Sequence, residues 1–221
     1  TLGVSLATGS TLASTDNLID VTGTLTRESG ENVGNYDVAL GAGSKASNYN
    51  VTFETNNDAY SITKRAITLN ADSATKIYGN SEATLGVSLA TGSTLASTDN
   101  LSDVTGTLSR QSGENVGNYD IALGTGTKAS NYTITFNEDN NSYTITPRAI
   151  TLTADTATKI YGNSEATLGA TVSTTEGLGL ASTDSLSDVT GTLTREIGEN
   201  VGSYDIALGT GTKASNYTIT F

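Results

Sequence analysis

The residues in this sequence that could do chemistry are few, and each of them recurs along the chain. Glu114 and Asp120 form a carboxylate pair, the arrangement that glycoside hydrolysis uses, with one group as acid and the other as base or nucleophile. The same pair recurs as Glu31 with Asp37 and as Glu199 with Asp205. Each copy falls at a turn and the start of a strand, with no additional domain to wall a cleft, so no catalytic role is expected. Gly124-Thr125-Gly126-Thr127-Lys128-Ala129-Ser130 has the glycines and lysine of a phosphate-cradling loop. It lacks the Gly-Lys-Ser/Thr order, and no helix is expected after it. It reads as a connection between strands.

Oxygen ligands gather at Asp99, Asn100 and Asp103, and again at Glu138, Asp139 and Asn140. Calcium takes about six to eight converging oxygens, and neither cluster has a known calcium-loop spacing. An N-cap and a solvated hairpin tip are expected there, with calcium stiffening as the alternative. Lys76 and Lys159 lie near asparagines and could form an internal isopeptide bond. That chemistry needs a buried Lys–Asn pair with an acid, and the flanking Thr and Tyr place both lysines at the surface. Asn131-Tyr132-Thr133 and Asn216-Tyr217-Thr218 match a glycosylation sequon but read as strand residues. Tyr36, Tyr49, Tyr60 and their copies could stack on a ligand, although alternating strand positions make them core. No residue is assigned a catalytic, cofactor-binding or metal-binding role, and no cofactor is expected.

Composition narrows the chemistry further. The chain has no Cys, His, Met or Trp, which removes disulfides, thiolate or imidazole metal sites and Ser-His or Cys-His nucleophiles. Its net charge of −12 repels nucleic-acid backbones and anionic membrane surfaces. No apolar run reaches the roughly 20 residues that span a bilayer. At 35 % hydrophobic and 15 % charged residues, the chain suits many short strands with polar outer faces rather than a charge-driven disordered segment.

The elements that position these residues come in three near-identical copies. Thr1-Leu2-Gly3 recurs at Thr84-Leu85-Gly86 and Thr167-Leu168-Gly169, a period of 83 residues, with two extra residues at 176–180 in the third copy. The first two copies are identical at about three quarters of their positions. This period suits a small domain rather than one supersecondary unit of a solenoid. The modules are placed at 1–64 (without an opening strand), 65–146 (complete) and 147–221 (without a closing strand).

Within each module apolar residues alternate with Thr and Ser, the mark of half-buried strands. Examples are Ile67, Leu69 and Ala71; Leu85, Val87 and Leu89; Val104 and Leu108; Tyr119, Ile121 and Leu123; Tyr132, Ile134 and Phe136; Tyr143 and Ile145. Residues 137–141 read as a hairpin loop, and Ser97, Thr98 and Asp99 as N-caps of a single helical turn. Tyr143-Thr144-Ile145-Thr146-Pro147-Arg148-Ala149-Ile150 runs from one module into the next without a Gly/Ser linker. The expectation is therefore mainly β: small antiparallel modules, sandwich-like or β-grasp-like with one short helix, end to end as a rod. Each would add about 30 Å if it is one nine-residue strand long.

Four motifs recur in a fixed cyclic order: Lys159-Ile160-Tyr161-Gly162-Asn163, Gly113-Glu114-Asn115-Val116-Gly117-Asn118-Tyr119, Asn131-Tyr132-Thr133-Ile134-Thr135-Phe136, and Tyr143-Thr144-Ile145-Thr146-Pro147-Arg148. On these the whole chain resembles the tandem MBG/YDG-type repeats of large bacterial surface adhesins and haemagglutinin-like exoproteins. The resemblance implies an extracellular β-rich module used in arrays on surface or matrix proteins, and no catalytic residues. Where many relatives carry Tyr-Gly-Asp-x-Pro, this chain has Tyr78-Gly79-Asn80-Ser81-Glu82, so no role of that Asp carries over. The expected function is a structural spacer or stalk of a bacterial adhesin, biofilm matrix or filament protein. The alternative is a multivalent adhesive module for a host or matrix glycan or protein. The expected partners of the spacer are neighbouring repeats of a longer chain, continuing with Arg-Ala-Ile-Thr-Leu-type strands before Thr1 and a Tyr-Thr-Ile-Thr strand after Phe221.

Overall fold

The computed structural model describes residues 1–54, 56–137, 142–177 and 179–221, with side chains omitted at 174–177. The chain is mainly β and divides into two compact units. The first comprises residues 1–67, 94–104 and 126–135, and the second 68–93, 105–125 and 136–221.

In the first unit Thr26–Arg27 pairs antiparallel with Val38–Ala39, and Gly34–Tyr36 with Tyr60–Ile62. A five-residue helix, α1 (Leu18–Thr22), precedes these strands, and the 3₁₀ turn Ala46–Asn48 follows them. Val21, Val38, Ile67, Val104 and Tyr132 are its buried apolar residues.

In the second unit the sheets are antiparallel and mixed. Arg148–Ala154 is central, antiparallel to Ala170–Gly177 and parallel to Tyr217–Thr220. Between those two flanking strands in sequence come the five-residue helix α2 (Leu186–Thr190) and the hairpin Thr194–Arg195 with Ile206–Ala207. A central first strand, a late parallel strand and one short helix make this module β-grasp-like. Tyr143–Thr146 pairs parallel with Ala74–Ile77 and antiparallel with Gly117–Tyr119. Leu69, Asn70 and Ala71 pair with Leu89, Ser88 and Val87. The apolar alternation holds in these strands: Leu69, Tyr143, Ile145, Ile150 and Leu152 are all at most 2 % exposed.

Three local expectations are corrected. Val104 belongs to the helix Leu101–Thr105 rather than to a strand, and the glycine that ends this helix type turns the chain, as Gly191 (φ +59°) does after α2. The helix cap lies one residue later than expected, with the Asn100 N–H donating to Asp103 Oδ2 at 3.0 Å. Tyr143–Thr146 pairs with strands from earlier in the module, not with Tyr132–Asn137 as a hairpin requires. The loop residues 138–141 themselves, including Glu138, Asp139 and Asn140, lie outside the described residues. The two extra residues of the third copy prolong a strand, since Ala170–Gly177 runs through 176–177.

Candidate functional site

Two charged clusters recur in the repeats, and both are built from groups that the sequence offered as reactive. The first gathers on the turn between Arg110 and Gly117. Lys76 Nζ donates to Glu82 Oε1 (2.5 Å) and Glu114 Oε2 (2.6 Å). Arg110 grips both carboxylates, with Nε and Nη2 on Glu82 (2.9 and 2.8 Å) and Nη2 on Glu114 (2.5 Å). Its Nη1 also donates to the carbonyls of Gln111 (2.8 Å) and Gly113 (2.7 Å). The guanidinium lies 5.1 Å from the Tyr119 ring centre and 5.0 Å from that of Tyr143, a cation–π sandwich. The third repeat rebuilds the cluster with Lys159, Glu165, Arg195, Glu199 and Tyr204.

The acidity of these groups follows from the pairing. Arg110 first and Lys76 second hold the Glu82 carboxyl well below the usual range. Arg195 and Lys159 hold Glu165 at about 2. Burial lowers the Lys76 pKa, and hydrogen bonds to Glu114 and Glu82 outweigh it, so the ammonium titrates above its ordinary value. Lys76 is thus buried, against the expectation of a surface lysine, because two carboxylates compensate its charge. Its partners are carboxylates and not an Asn amide, so the isopeptide geometry is not assembled there. Glu114 is engaged by Lys76 and Arg110, and Asp37, the counterpart of Asp120, accepts from the Asn57 N–H (2.7 Å) and the Asp58 N–H (2.9 Å). Both members of the carboxylate pair therefore serve turns.

The second cluster joins Asp99, Lys128 and Tyr132. Lys128 Nζ donates to Asp99 Oδ1 (2.6 Å) and Tyr132 Oη to Oδ2 (2.6 Å), while the Ala96 N–H donates to Tyr132 Oη (3.0 Å). Asp16, Lys45 and Tyr49 repeat it, as do Asp184, Lys213 and Tyr217. Burial raises the Asp184 pKa, but hydrogen bonds from Lys213, Tyr217 and Tyr78 hold it at about 2. Burial first and the Asp184 carboxylate next push Tyr217 up to about 12. Of the acidic group once weighed for calcium, Asp99 is thus held by Lys128 and Tyr132, and Asp103 caps a helix. Among the described residues no group of three or more acidic side chains is placed to hold a metal ion.

The glycines of the phosphate-like run have a packing role. In the third repeat a Cβ at Gly211 would lie 2.2 Å from the Asp188 carbonyl oxygen, and one at Gly209 would lie 2.4 Å from that of Thr192. The 3₁₀ turn Ala214–Asn216 follows, and the preceding lysine points at Asp184.

The sequon asparagines are the residues that sequence reasoning missed. Asn216 is 3 % exposed; its Oδ1 accepts from the Val116 N–H (2.8 Å) and its Nδ2 donates to Asn115 Oδ1 (3.0 Å). In the first unit Asn131 does the same to Val33 (2.9 Å) and Asn32 (2.9 Å). One asparagine thus bridges each repeat to the turn of the repeat before it. At the second junction Tyr78 adds more. Its hydroxyl donates to Asp184 Oδ2 (2.9 Å) and its ring meets Tyr217 edge-on at 5.4 Å. Arg148 Nη1 donates to the Tyr78 carbonyl (3.2 Å) and to Asn80 Oδ1 (2.9 Å). The signal was present in the sequence: Glu-Asn-Val and Ala-Ser-Asn-Tyr occur in all three repeats although both are polar and loop-like.

Recurrent sheets, closed charge clusters and repeated bridges define a tandem β-module protein. The family is that of the MBG domain, YGX type, whose model matches residues 2–58, 67–147 and 150–221. The chain belongs to this family, as three successive domains. Tyr78-Gly79-Asn80 and Tyr161-Gly162-Asn163 are its Tyr-Gly-x motifs. No curated protein and no solved structure matches the chain. MBG repeats are a non-enzymatic domain type typical of extracellular surface proteins. No helix among the described residues is long and apolar enough to cross a membrane.

Proposed function

We propose that this chain is a spacer segment, a run of MBG domains that carries another part of an extracellular bacterial protein away from its anchor. The observation that carries this reading is the asparagine bridge, made with the same partners and nearly the same distances at both junctions. A repeated, hydrogen-bonded junction fixes the angle between successive modules, which a flexible linker does not. The charged groups support it as well, because they are paired within or between modules and are not arrayed around an open site.

A second reading, adhesion through many weak sites, draws on one feature. Leu168, Leu186, Leu193 and Ile197 line an open apolar groove in the third repeat, and Leu2, Leu18, Ile19 and Leu25 line its counterpart in the first. Repeated weak grooves gain affinity through avidity.

Solution scattering and a glycan array separate the two. A compact chain of this length has a radius of gyration of about 17 Å. Three modules of about 30 Å in line give roughly 26 Å. The spacer reading expects the larger value and no retained glycan. A radius near the compact value overturns it, and specific glycan retention installs the adhesive reading instead.

A further inference from the structure

The two faces that meet at the internal junctions also occur unmated in this chain. One is the projecting face, made in the second repeat by Tyr78, Gly79 and the Asn115-Val116 turn. The other is the receiving face, made in the third repeat by Ala181, Asp184, Asn216 and Tyr217. Mated, they are buried: Tyr78 is 6 % exposed, Ala181 3 %, Asn216 3 % and Tyr217 7 %. A Cβ on Gly79 would meet the Ala181 Cβ at 2.4 Å.

The projecting face of the third repeat has the same residues and no mate. Tyr161 is 70 % exposed, Ile160 74 % and Val201 94 %. Gly162 has the left-handed φ of Gly79 (+83° against +77°), yet a Cβ there would meet nothing within 4 Å. The turn is nevertheless held in its mating shape. Tyr204 Oη donates to the Asn200 carbonyl (2.8 Å), as Tyr119 does to Asn115 (2.7 Å) and Tyr36 to Asn32 (2.6 Å). An exposed tyrosine beside two exposed aliphatic side chains, on a turn already fixed, is a preorganised contact surface.

The receiving face of the first repeat is the matching half. Asp16 accepts from Lys45 Nζ (2.6 Å) and Tyr49 Oη (2.7 Å), and the Ala13 N–H donates to Tyr49 Oη (3.0 Å). This is the Asp184–Lys213–Tyr217 arrangement without the third donor, and Ala13 and Asn48 are exposed. A carboxylate has about four lone-pair sites, so Asp16 has room for a tyrosine hydroxyl, as Asp184 shows.

We infer that the Tyr161, Asn200 and Val201 face of this chain docks the Asp16, Asn48 and Tyr49 face of a second copy, by the pairing seen at the internal junctions. Tyr161 donates to Asp16. Asn48 bridges Asn200 and the Val201 N–H. The contact is heterologous, so it leaves one free face at each end and propagates. It does not depend on whether the array is a spacer or an adhesin, and the glycan array leaves it untouched.

Amide chemical shifts of the labelled 221-residue chain, followed from about 10 μM to about 1 mM, test it; the upper limit matches the effective concentration that a short linker supplies. Concentration-dependent shifts are expected at residues 16, 45, 48 and 49 and at 160–162 and 200–201. In a second experiment labelled Tyr161→Ala receives unlabelled protein. Unlabelled wild type should shift residues 16, 48 and 49, and unlabelled Tyr161→Ala should shift them less than one tenth as much. Tyr161 is exposed, so its loss leaves the fold intact, and unchanged spectra elsewhere verify this. No shift up to about 1 mM, shifts confined to other surfaces, or equal shifts from both titrants overturn the inference.

Discussion

A single hydroxyl distinguishes a mated tyrosine from an unmated one in the same motif. Tyr78 gives its proton to a carboxylate that is itself buried, and Tyr161 faces water. Removing a donor from a buried charged acceptor costs about 1–3 kcal/mol, whereas surface changes stay within about 0.5 kcal/mol. Tyr78→Phe should therefore lower stability by about 1–2 kcal/mol and Tyr161→Phe should leave it unchanged, as read from urea midpoints at equal slope. Equal effects at both positions would show that the Asp184 contact adds nothing. The residue scale was also where sequence reading went furthest astray. Lys76 stands among Thr and Tyr, which suggest exposure, but its burial depends on Glu82 and Glu114, six and thirty-eight residues away. Asn131 and Asn216 matched a glycosylation pattern because a three-residue pattern carries no information about burial.

At the scale of elements, alternation located the strands and their inner faces, since a period of two assigns each residue to a side. It carries no information on strand direction. The parallel pairings of Arg148–Ala154 with Tyr217–Thr220, and of Ala74–Ile77 with Tyr143–Thr146, were hidden for that reason. Helix Leu101–Thr105 was blurred because its single turn has too few residues to show a 3.6 period. Turns were legible through glycine, and their roles differ with what lies opposite. Gly79 and Gly162 share a left-handed backbone that costs a non-glycine residue about 1 kcal/mol. Only at Gly79 does a Cβ also collide with Ala181. Gly162→Ala should cost about 1 kcal/mol and Gly79→Ala at least about 2 kcal/mol, the excess reporting junction overpacking. Matched thermal melts of the two variants measure the difference. If Gly79→Ala is no worse than Gly162→Ala, the two repeats do not close upon each other at that turn.

Across the molecule, the division into repeats and the division of the core do not coincide. In the second unit one cluster of buried residues takes Tyr78, Ile121, Tyr143 and Ile145 from the second MBG domain and Ile150, Leu152, Val189 and Tyr217 from the third. The chain crosses from Tyr143–Thr146 to Arg148–Ala154 with only Pro147 between the strands, which leaves no slack for the two halves to part. Repeats joined in this way unfold as nearest-neighbour-coupled units, with the interface contributing to both. A cavity at Ile150 should then weaken the second domain although the residue belongs to the third. Ile150→Ala removes a side chain 2 % exposed, and such truncations cost about 2–5 kcal/mol. Hydrogen exchange should show protection falling together at Ile145 in the second domain and at Leu152 in the third, by the same free energy. Protection lost at Leu152 while Ile145 keeps its wild-type rate would mean that each domain carries an independent core, and that the shared cluster is contact without coupling.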